Sequence, residues 1–339
     1  MRSQILIFIL AFAALMPCKA QGLENKSLWV PELSIDYQEI NSVEVSPNGE
    51  KTLITYVDRD KDLIESIRFR VISNTDKQIL FETPHGKRYG DVKWSPNGKW
   101  ISYVTAEEDG SFLGITDAEK FNPIRVYAIP TNSWIESIQW SPNGKNISFI
   151  TKFSEKDDAP SAYKFGGSSI VRERQYLNTP SRLSILSIDL KNNIFSGPSF
   201  LTPTNLAVTN EAGGGKASYI PYSWSADSAS LAFSFVPVKE QNFNQETKLA
   251  ILDIRTGKIK ELNQEGPALN PVFSRNGKEL AFLVAVTPPM NSPFKKANMV
   301  VTGLRVCLFD LEKDKERFLA NTPNENPQII GWDSDGSSI

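Results

Sequence analysis

Short runs of β-branched and aromatic residues recur along this chain, and polar turns separate them. The clearest example is Val92–Thr105, VKWSPNGKWISYVT, and similar stretches begin at Val43 and Ile138. Serine can hydrogen-bond back to the turn backbone, proline presets φ at the first turn position, and glycine accepts the left-handed conformation that re-enters a strand. Apolar runs on both sides of such a turn predict a β-hairpin.

The hairpin recurs in degenerate form in the second half of the chain. SWSADSASLAFSF begins at Ser223, VFSRNGKELAFLV at Val272 and GWDSDGSSI at Gly331. Counted from the turn serine or its equivalent, the six copies start at positions 46, 95, 141, 225, 274 and 333, at spacings of 49, 46, 84, 49 and 59 residues. Apart from one long interval, these spacings match the period of propeller blades, roughly 40–50 residues.

An apolar strand that ends in an acidic turn falls between successive hairpins. Clear cases start at Leu249, Arg182 and Leu304, and looser ones, IRFRVISNTDKQILF and IRVYAIPTNSWI, start at Ile67 and Ile124. Two strands from each motif make a four-stranded antiparallel blade, and stacked blades bury what a lone hairpin cannot. No amphipathic helical stretch competes. The sequence therefore predicts an all-β fold, a β-propeller of about six four-stranded antiparallel blades with the last one incomplete.

Two features interrupt the repeat. Residues 155–180 are predicted to be an insertion in the third blade, and Asn205–Ser218 a flexible loop before the fourth hairpin. The sixth hairpin stops at Ile339, one residue into its second strand. We therefore expect a fragment with a truncated C-terminal blade, or a gap filled by strands from the N-terminus, for which Leu28–Ile40 is the candidate.

Residues 1–20 have the pattern of a secretory signal peptide. A positive start precedes an apolar run, and small residues at Cys18 and Ala20 suit cleavage after Ala20. The run is too short to span a bilayer, and no later segment approaches that length. A lipoprotein attached through Cys18 is the competing interpretation, which Pro17 fits poorly. We expect an exported protein, periplasmic or secreted, whose propeller domain covers residues 21–339.

Composition and charge exclude several partners and cofactors. The formal net charge is −2, from 37 Lys and Arg against 39 Asp and Glu, with no basic stripe. Nucleic acid is therefore not an expected partner. One histidine and one cysteine after residue 20 cannot form the common zinc sets, so no metal or cofactor is expected. Cys307 is predicted to be a small buried strand residue without a disulfide partner.

The two motifs together resemble the N-terminal propeller of the prolyl oligopeptidase family of serine peptidases, with the dipeptidyl-peptidase and acylaminoacyl-peptidase branches nearest. TolB-type propellers carry the same hairpin. Added support comes from Ser168–Leu190, SSIVRERQYLNTPSRLSILSIDL, and from the pair Leu201–Thr202, which resemble a basic-aromatic segment and a Leu-Thr pair of these peptidases. The resemblance implies a propeller that lies over a C-terminal α/β-hydrolase domain and admits short peptides to a Ser-Asp-His triad.

The residues of such a catalytic centre are absent from this sequence. It contains no Gly-x-Ser-x-Gly nucleophile elbow, and the nearest string, Gly166–Ile170, lacks the second glycine. His85, the one histidine, lies in a polar turn and is expected to be exposed rather than a general base. Asp58–Asp62 and Gly213–Lys216 only partly match calcium and phosphate loops. No catalytic residue is assigned to this chain, and the catalytic domain is expected to be missing from it.

Four residues in the insertion, Arg172, Glu173, Arg174 and Tyr176, are the candidate substrate-binding cluster. If the insertion overhangs a substrate entrance, as the resemblance implies, an arginine offers a forked donor to a peptide carboxylate or carbonyl. Glu173 would then meet an amino terminus, although the dipeptidyl branch uses two glutamates there. The competing interpretation is a charged, solvated loop.

Two functions stay open at this point. The chain is either the substrate-gating propeller of an exported peptidase acting on short peptides, or a TolB-like periplasmic propeller that binds a protein partner at its mouth. TolB carries a separate α/β domain before its blades, and only Gly22–Ile40 is available here for one. A small-molecule hydrolase would need a central acidic or metal site, which the sequence does not offer.

Overall fold

A computed structural model describes most of the chain beyond the N-terminal segment, and it contains strands and turns but no helix in that part. The residues described are 38–59, 65–107, 110–153, 164–165, 168–169, 181–209, 211–212, 215–216, 220–237, 247–264, 266–285, 304–319, 329, 331–333 and 339. The predicted signal peptide, Leu28–Asp36 and the cluster 172–176 lie outside these residues.

Five antiparallel sheets follow one another along the chain, and each forms one blade. Blade 1 contains β1 Glu39–Val45, β2 Lys51–Arg59, β3 Glu65–Ser73 and β4 Ile79–Glu82. Blade 2 contains β5 Tyr89–Trp94, β6 Trp100–Glu107, β7 Gly110–Asp117 and β8 Ile124–Ile129. Blade 3 contains β9 Ser133–Trp140, β10 Asn146–Phe153, β13 Ser181–Asp189 and β14 Ile194–Phe200, with the small hairpin β11 Lys164–Phe165 and β12 Ser168–Ser169 between β10 and β13.

The last two blades repeat this order with one variation. Blade 4 contains β15 Leu206–Val208, β18 Tyr222–Trp224, β19 Ser230–Pro237, β20 Lys248–Asp253 and β21 Ile259–Glu261, with the small hairpin β16 Glu211–Ala212 and β17 Gly215–Lys216 between β15 and β18. Blade 5 contains β22 Ala268–Phe273, β23 Glu279–Ala285, β24 Leu304–Asp310 and β25 Lys315–Phe318. In blade 4, β15 and β18 both pair with β19, so the first strand of that blade is split in two.

The five predicted hairpin turns that the structure describes use the same hydrogen bonds, and most of the sixth, at 333–336, lies outside the described residues. In blade 2, the Ser95 hydroxyl donates to Asn97 Oδ1 and accepts from the Trp100 amide, while Gly98 turns the chain at φ +66°. Four further turns repeat the serine bonds with their own acceptor side chain: Ser46 with Asn48, Ser141 with Asn143, Ser225 with Asp227, and Ser274 with Asn276. The hairpins predicted from the sequence are therefore confirmed in all five blades.

Neighbouring blades pack face to face through apolar clusters. We call the face of a sheet toward the following blade its forward face and the other its rear face. The forward face of blade 1 meets the rear face of blade 2 in a cluster that includes Leu53, Phe69, Trp94 and Tyr103. Corresponding clusters join blades 2 and 3, 3 and 4, and 4 and 5. Burial between sheets is the main stabilising term in this arrangement.

In four of the six repeats a tryptophan at the end of the first strand links the repeat to the blade before it. The indole Nε1 donates backward across the interface in four cases: Trp94 to the Glu44 carbonyl at 3.2 Å, Trp140 to Ser102 Oγ at 2.9 Å, Trp224 to Ser148 Oγ at 2.8 Å, and Trp332 to the Val272 carbonyl at 3.1 Å. Trp332 therefore takes the place in a sixth repeat that Trp94 takes in the second, and with Ile329 it contacts blade 5. The fold is a β-propeller with five described blades and the start of a sixth.

Two strand predictions were wrong. IRVYAI, expected to follow the pattern of a third strand, is the fourth strand of blade 2, and the third strand is β7, Gly110–Asp117. Asn205–Ser218 is not simply a loop, because Leu206–Val208 pairs with β19. The other four third strands that the acidic-turn motif predicted, at Ile67, Arg182, Leu249 and Leu304, are confirmed as β3, β13, β20 and β24. Cys307 is a buried residue of β24, as predicted.

The close approach of β6 to β7 predicts a sharp difference between two glycines of blade 2. The Tyr103 ring lies over Gly114, and a Cβ placed there would come within 2.7 Å of that ring. Gly114→Ala should therefore lower the free energy of unfolding by about 1–3 kcal/mol through overpacking. Gly90→Ala is the control, since its Cβ would meet nothing within 4 Å. Urea unfolding of both variants checks this, and equal stabilities would contradict the packing of Tyr103.

Candidate functional site

The two ends of the propeller differ in their connections. The antiparallel strand order places the first-to-second and third-to-fourth turns at one end, here called the turn end, and the second-to-third connections at the other, the loop end. The turn-end connections are short. The longest loop-end connection joins Phe153 of β10 to Ser181 of β13, across the predicted insertion, and another joins β23 to β24. Variable loops on a fixed scaffold are where binding residues usually lie, so the loop end is the candidate site.

The inner strands that line the propeller axis carry a recurring bulge. Asp91, Ser137 and Asn270 adopt left-handed φ values of 48°, 58° and 51°, and the register of β5, β9 and β22 shifts at these positions. Such bulges re-aim side chains out of the regular alternation. At Asp91 the carboxylate accepts hydrogen bonds from the backbone N–H groups of Ser137 and Ile138 in the next blade.

Burial raises the pKa of Asp91, while the Ser137 backbone and Lys93 favour its ionised form. A pKa raised by folding contributes stability below the unfolded value, and that stability is lost as the pH rises through the folded value. Asp91→Asn should keep the backbone hydrogen bonds. Near pH 3 we expect the free energies of unfolding of the variant and the parent to agree within about 0.5 kcal/mol. As the pH rises to 7, we expect the variant to become the more stable of the two. Urea unfolding across that range measures this, and a variant less stable at pH 7 would contradict it.

Two ion pairs lie along the described inner wall. Lys93 Nζ lies 2.5 Å from Glu44 Oε1, and Lys152 Nζ lies 2.7 Å from Glu136 Oε1. Gln139 donates to the Tyr222 carbonyl, which links blades 3 and 4 near the axis. The inner wall is therefore polar, and these two ion pairs contribute no net charge to it.

Tyr222 joins the inner strand of blade 4 to that of blade 3. Its hydroxyl donates to the Ser137 carbonyl at 2.5 Å and accepts from Ser148, whose Oγ also receives the Trp224 indole. Complete burial raises the pKa of Tyr222, so the phenol stays protonated and keeps donating. The bulge at Ser137, the Tyr222 phenol and the Trp224 indole thus form one polar network between blades 3 and 4.

Two arginines hold strand ends at the loop end. Arg182, the second residue of β13, donates from Nε and Nη2 to the Thr202 carbonyl at 2.8 and 2.6 Å, and the Leu183 amide donates to Thr202 Oγ1. The Arg182 guanidinium also stacks 4.0 Å from the centroid of Phe200. The chain therefore leaves the insertion at a fixed point, and the Leu-Thr pair noted in the sequence supplies the acceptor.

Arg68 repeats this contact in blade 1 and adds ion pairs. Its Nε donates to the Thr83 carbonyl, while Nη1 lies 2.7 Å from Asp58 Oδ2 and Nη2 lies 3.0 Å from Glu82 Oε2. The Arg68 side chain is only 6% exposed. Asp58, placed by sequence in a partial calcium-loop match, is therefore the ion-pair partner of a buried arginine.

His85 lies beside Arg68 and is not placed to act as a base. Its side chain is 63% exposed, with Nδ1 3.3 Å from Asp58 Oδ2 and Nε2 2.9 Å from Arg68 Nη1. A guanidinium can only donate, so Nε2 is the acceptor and the proton of a neutral ring lies on Nδ1, toward Asp58. Both ring nitrogens are thus engaged. The exposed position matches the sequence prediction, and these contacts explain why the ring has no free lone pair.

The predicted substrate-binding cluster, Arg172, Glu173, Arg174 and Tyr176, lies outside the described residues. Of the Gly-Gly-Ser-Ser string, Ser168–Ser169 form β12, and Gly215–Lys216 of the partial phosphate loop form β17. Among the described residues no group of three or more His, Cys, Asp or Glu side chains could hold a metal ion. That part of the chain also has no helix of the length and hydropathy needed to cross a bilayer.

A cavity of about 700 Å³ at the turn end was not predicted from the sequence. It lies between blades 2 and 3, and Trp100, Lys145, Asp189 and Ile194 are among the residues that line it. The feature of the sequence that could have indicated this cavity is Trp100. The other four blades begin their second strand with a polar residue, namely Lys51, Asn146, Ser230 and Glu279.

No family model and no curated protein matches the chain. Among solved structures it is similar to the β-propeller domain of the trilobed protease from Pyrococcus furiosus, with 12% identity, a TM-score of 0.53, and coverage of 84% of this chain and 71% of that chain. The acylaminoacyl peptidase from Pyrococcus horikoshii gives 10% identity, a TM-score of 0.54, and coverage of 83% and 40%. TolB from Acinetobacter baumannii gives 16%, 0.42, and coverage of 85% and 56%.

The structural matches are thus propellers of TolB and of the peptidase family that the sequence resembles. At 10–12% identity, the two peptidase matches with TM-scores above 0.5 show the fold alone, a β-propeller. The chain spans 56% of the TolB chain and 40% of the acylaminoacyl peptidase chain.

Proposed function

We propose that this chain is the propeller portion of an exported serine peptidase of the prolyl oligopeptidase family, which admits short peptides at its loop end and cleaves nothing by itself. The observation that carries the proposal is the Arg182–Thr202 contact set, which fixes the chain where it leaves the insertion. Both residues belong to the stretches by which the sequence resembles these peptidases. An anchored insertion at the loop end suits a part that meets substrate.

The described residues support positioning and not bond cleavage. Carboxylates and guanidiniums at the loop end of blade 1 neutralise one another, and His85 has no free nitrogen. In this proposal Arg172 and Arg174 offer donors to a peptide carboxylate or carbonyl, and Glu173 meets the amino terminus. The Ser-Asp-His triad belongs to a C-terminal hydrolase domain, which is the proposed partner of the propeller.

A second candidate function is a module that binds a protein partner at the propeller mouth, as proposed for a TolB-like propeller. One described residue favours it. Trp134, near the loop end of the inner strand β9, is 43% exposed. Exposed aromatic residues are enriched at protein interfaces.

Peptide binding to insertion variants separates the two functions. Saturation-transfer NMR with di- to hexapeptides should show binding to the chain, and the Arg172→Ala/Arg174→Ala double variant should weaken it about tenfold, equivalent to 1.4 kcal/mol. Trp134→Ala should leave peptide binding unchanged, and Lys313→Ala, in a turn of blade 5 at the turn end, is the matched control. Loss of binding in the Trp134 variant alone, or binding only to folded proteins, would favour the second function.

A further inference from the structure

The rear face of blade 1 carries an apolar row that nothing in the described structure covers. Ile40, Val43 and Val45 of β1 are 62%, 56% and 59% exposed, and Ile79 of β4 is 52% exposed. Strand pairing places them on one face, because Val43 aligns with Ile54, and Val45 aligns with Thr52, Ile72 and Ile79 across the sheet. A contiguous exposed apolar face of this kind marks an interaction surface.

The same face is buried in the other blades by the blade that precedes it. Where blade 1 has Val45, the others have Trp94, Trp140, Trp224 and Phe273, all less than 10% exposed. These aromatic residues pack on the forward face of the preceding blade. The rear face of blade 1 thus has the position of an interface that recurs four times in the molecule.

The connections between blades indicate what approaches this face. Four times the chain passes from the outer strand of one blade to the inner strand of the next, and the outer strands are β4, β8, β14 and β21. Each outer strand runs from the turn end to the loop end and lies on the rear side of the blade that follows. A segment that entered β1 by the same path would run along the rear side of blade 1, from the turn end to the loop end.

Along this direction, from the turn end to the loop end, the polarity of the face changes in the same order as the polarity of the segment that precedes β1. The turn-end half of the face is apolar, with Val45, Ile72 and Ile79. The loop-end half carries Ile40 together with the polar groups of Arg70, whose Nη2 donates to Gln38 and whose Nε lies 3.1 Å from Glu82 Oε1. Arg70 Nε is buried and makes no hydrogen bond among the described residues. The preceding segment reads LWVPELSIDY from Leu28, apolar first and then acidic at positions 32 and 36.

We propose that residues 28–36 pack as an extended segment on the rear face of blade 1. Leu28, Trp29 and Val30 cover the apolar half, and Asp36, two residues before Gln38, accepts a hydrogen bond from Arg70. The segment thereby occupies the position that a preceding blade occupies elsewhere in the molecule. Its nine residues span about 30 Å when extended, enough to cross a blade from end to end.

A cysteine reporter tests this packing. Cys307 is a silent background, because it is fully buried and burial raises the pKa of its thiol to about 12. In the full chain with Cys18→Ala, V43C reports on the rear face of blade 1. I194C is the matched control on the outer strand of blade 3, where the side chain is 58% exposed. Maleimide should label V43C roughly tenfold more slowly than I194C, because reaction requires local opening of the segment.

The second measurement adds Trp29→Ser/Val30→Ser to both reporters. V43C should then label as fast as I194C, while I194C does not change. Equal labelling of the two reporters in the parent would overturn the proposal, since the face would be open. Slow V43C labelling that the Ser variants do not change would also overturn it. Dependence on protein concentration would then identify a second copy as the cover, and independence would identify another part of the chain.

Discussion

Replacing Trp140 by alanine is expected to lower the free energy of unfolding by about 3–5 kcal/mol, the usual cost of deleting a large buried aromatic side chain. The Trp140 indole is 7% exposed and packs in the cluster between blades 2 and 3. It also donates to Ser102 Oγ at 2.9 Å, so its loss leaves a buried hydroxyl without this donor. Urea unfolding followed by circular dichroism measures the change.

Trp134 supplies the matched control within the same strand. It is 43% exposed, so Trp134→Ala should cost less than about 1 kcal/mol. Trp140→Phe keeps most of the volume but loses the Nε1 donor, and we expect a cost between these two. Similar costs for the two alanine variants would mean that the indoles do not hold the blades together.

Arg68→Met is expected to be comparably damaging, at about 3–5 kcal/mol, because it leaves a buried carboxylate without its charge partner. Asp58 is 13% exposed and lies 2.7 Å from Arg68 Nη1. The substitution also removes the donor to the Thr83 carbonyl and the guanidinium that lies 5.7 Å from the centroid of the Tyr56 ring. Calorimetry and urea unfolding of the purified variant measure the loss of stability.

Arg59→Met is the control for charge removal. Arg59 pairs with Glu65 at 2.7 Å, but the two side chains are 29% and 45% exposed. An exposed pair contributes little, so the expected cost is below about 1 kcal/mol. Adding Asp58→Asn to Arg68→Met should recover part of the stability, because the uncompensated charge is then gone. A double variant no more stable than the single one would contradict the importance of the Arg68–Asp58 pair.

The repeat could be predicted from the sequence because local chemistry determines it. Serine, proline, asparagine and glycine act within one turn, and the same few hydrogen bonds form wherever they occur. The third strand of blade 2 was not predicted because Gly110 and Gly114 interrupt its run of apolar residues. The sequence does contain the acidic turn that follows this strand. In it, Asp117 accepts hydrogen bonds from the backbone amides of residues 119 and 120, as Asp189 accepts them from the amides that follow β13.

The polar contacts at the candidate site could not be predicted in the same way. Asp58, Arg68, Glu82 and His85 come from separate strands and a turn of blade 1, and only the sheet register brings them together. The bulge at Asp91 likewise depends on the backbone of the next blade. Sequence reasoning sees the residue types, whereas the partners are set by packing between distant segments.

Photo-crosslinking tests most directly the claim that the loop end receives peptides. A tetrapeptide with a benzophenone side chain would be irradiated with the chain, and the labelled residues would be located by mass spectrometry. We predict labels in the connections at residues 154–180 and 286–303, and competition by the unmodified peptide. Labels at the turn end, on the asparagine turns that contain Asn97 and Asn276, would contradict the account, as would cleavage of the peptide by this chain alone.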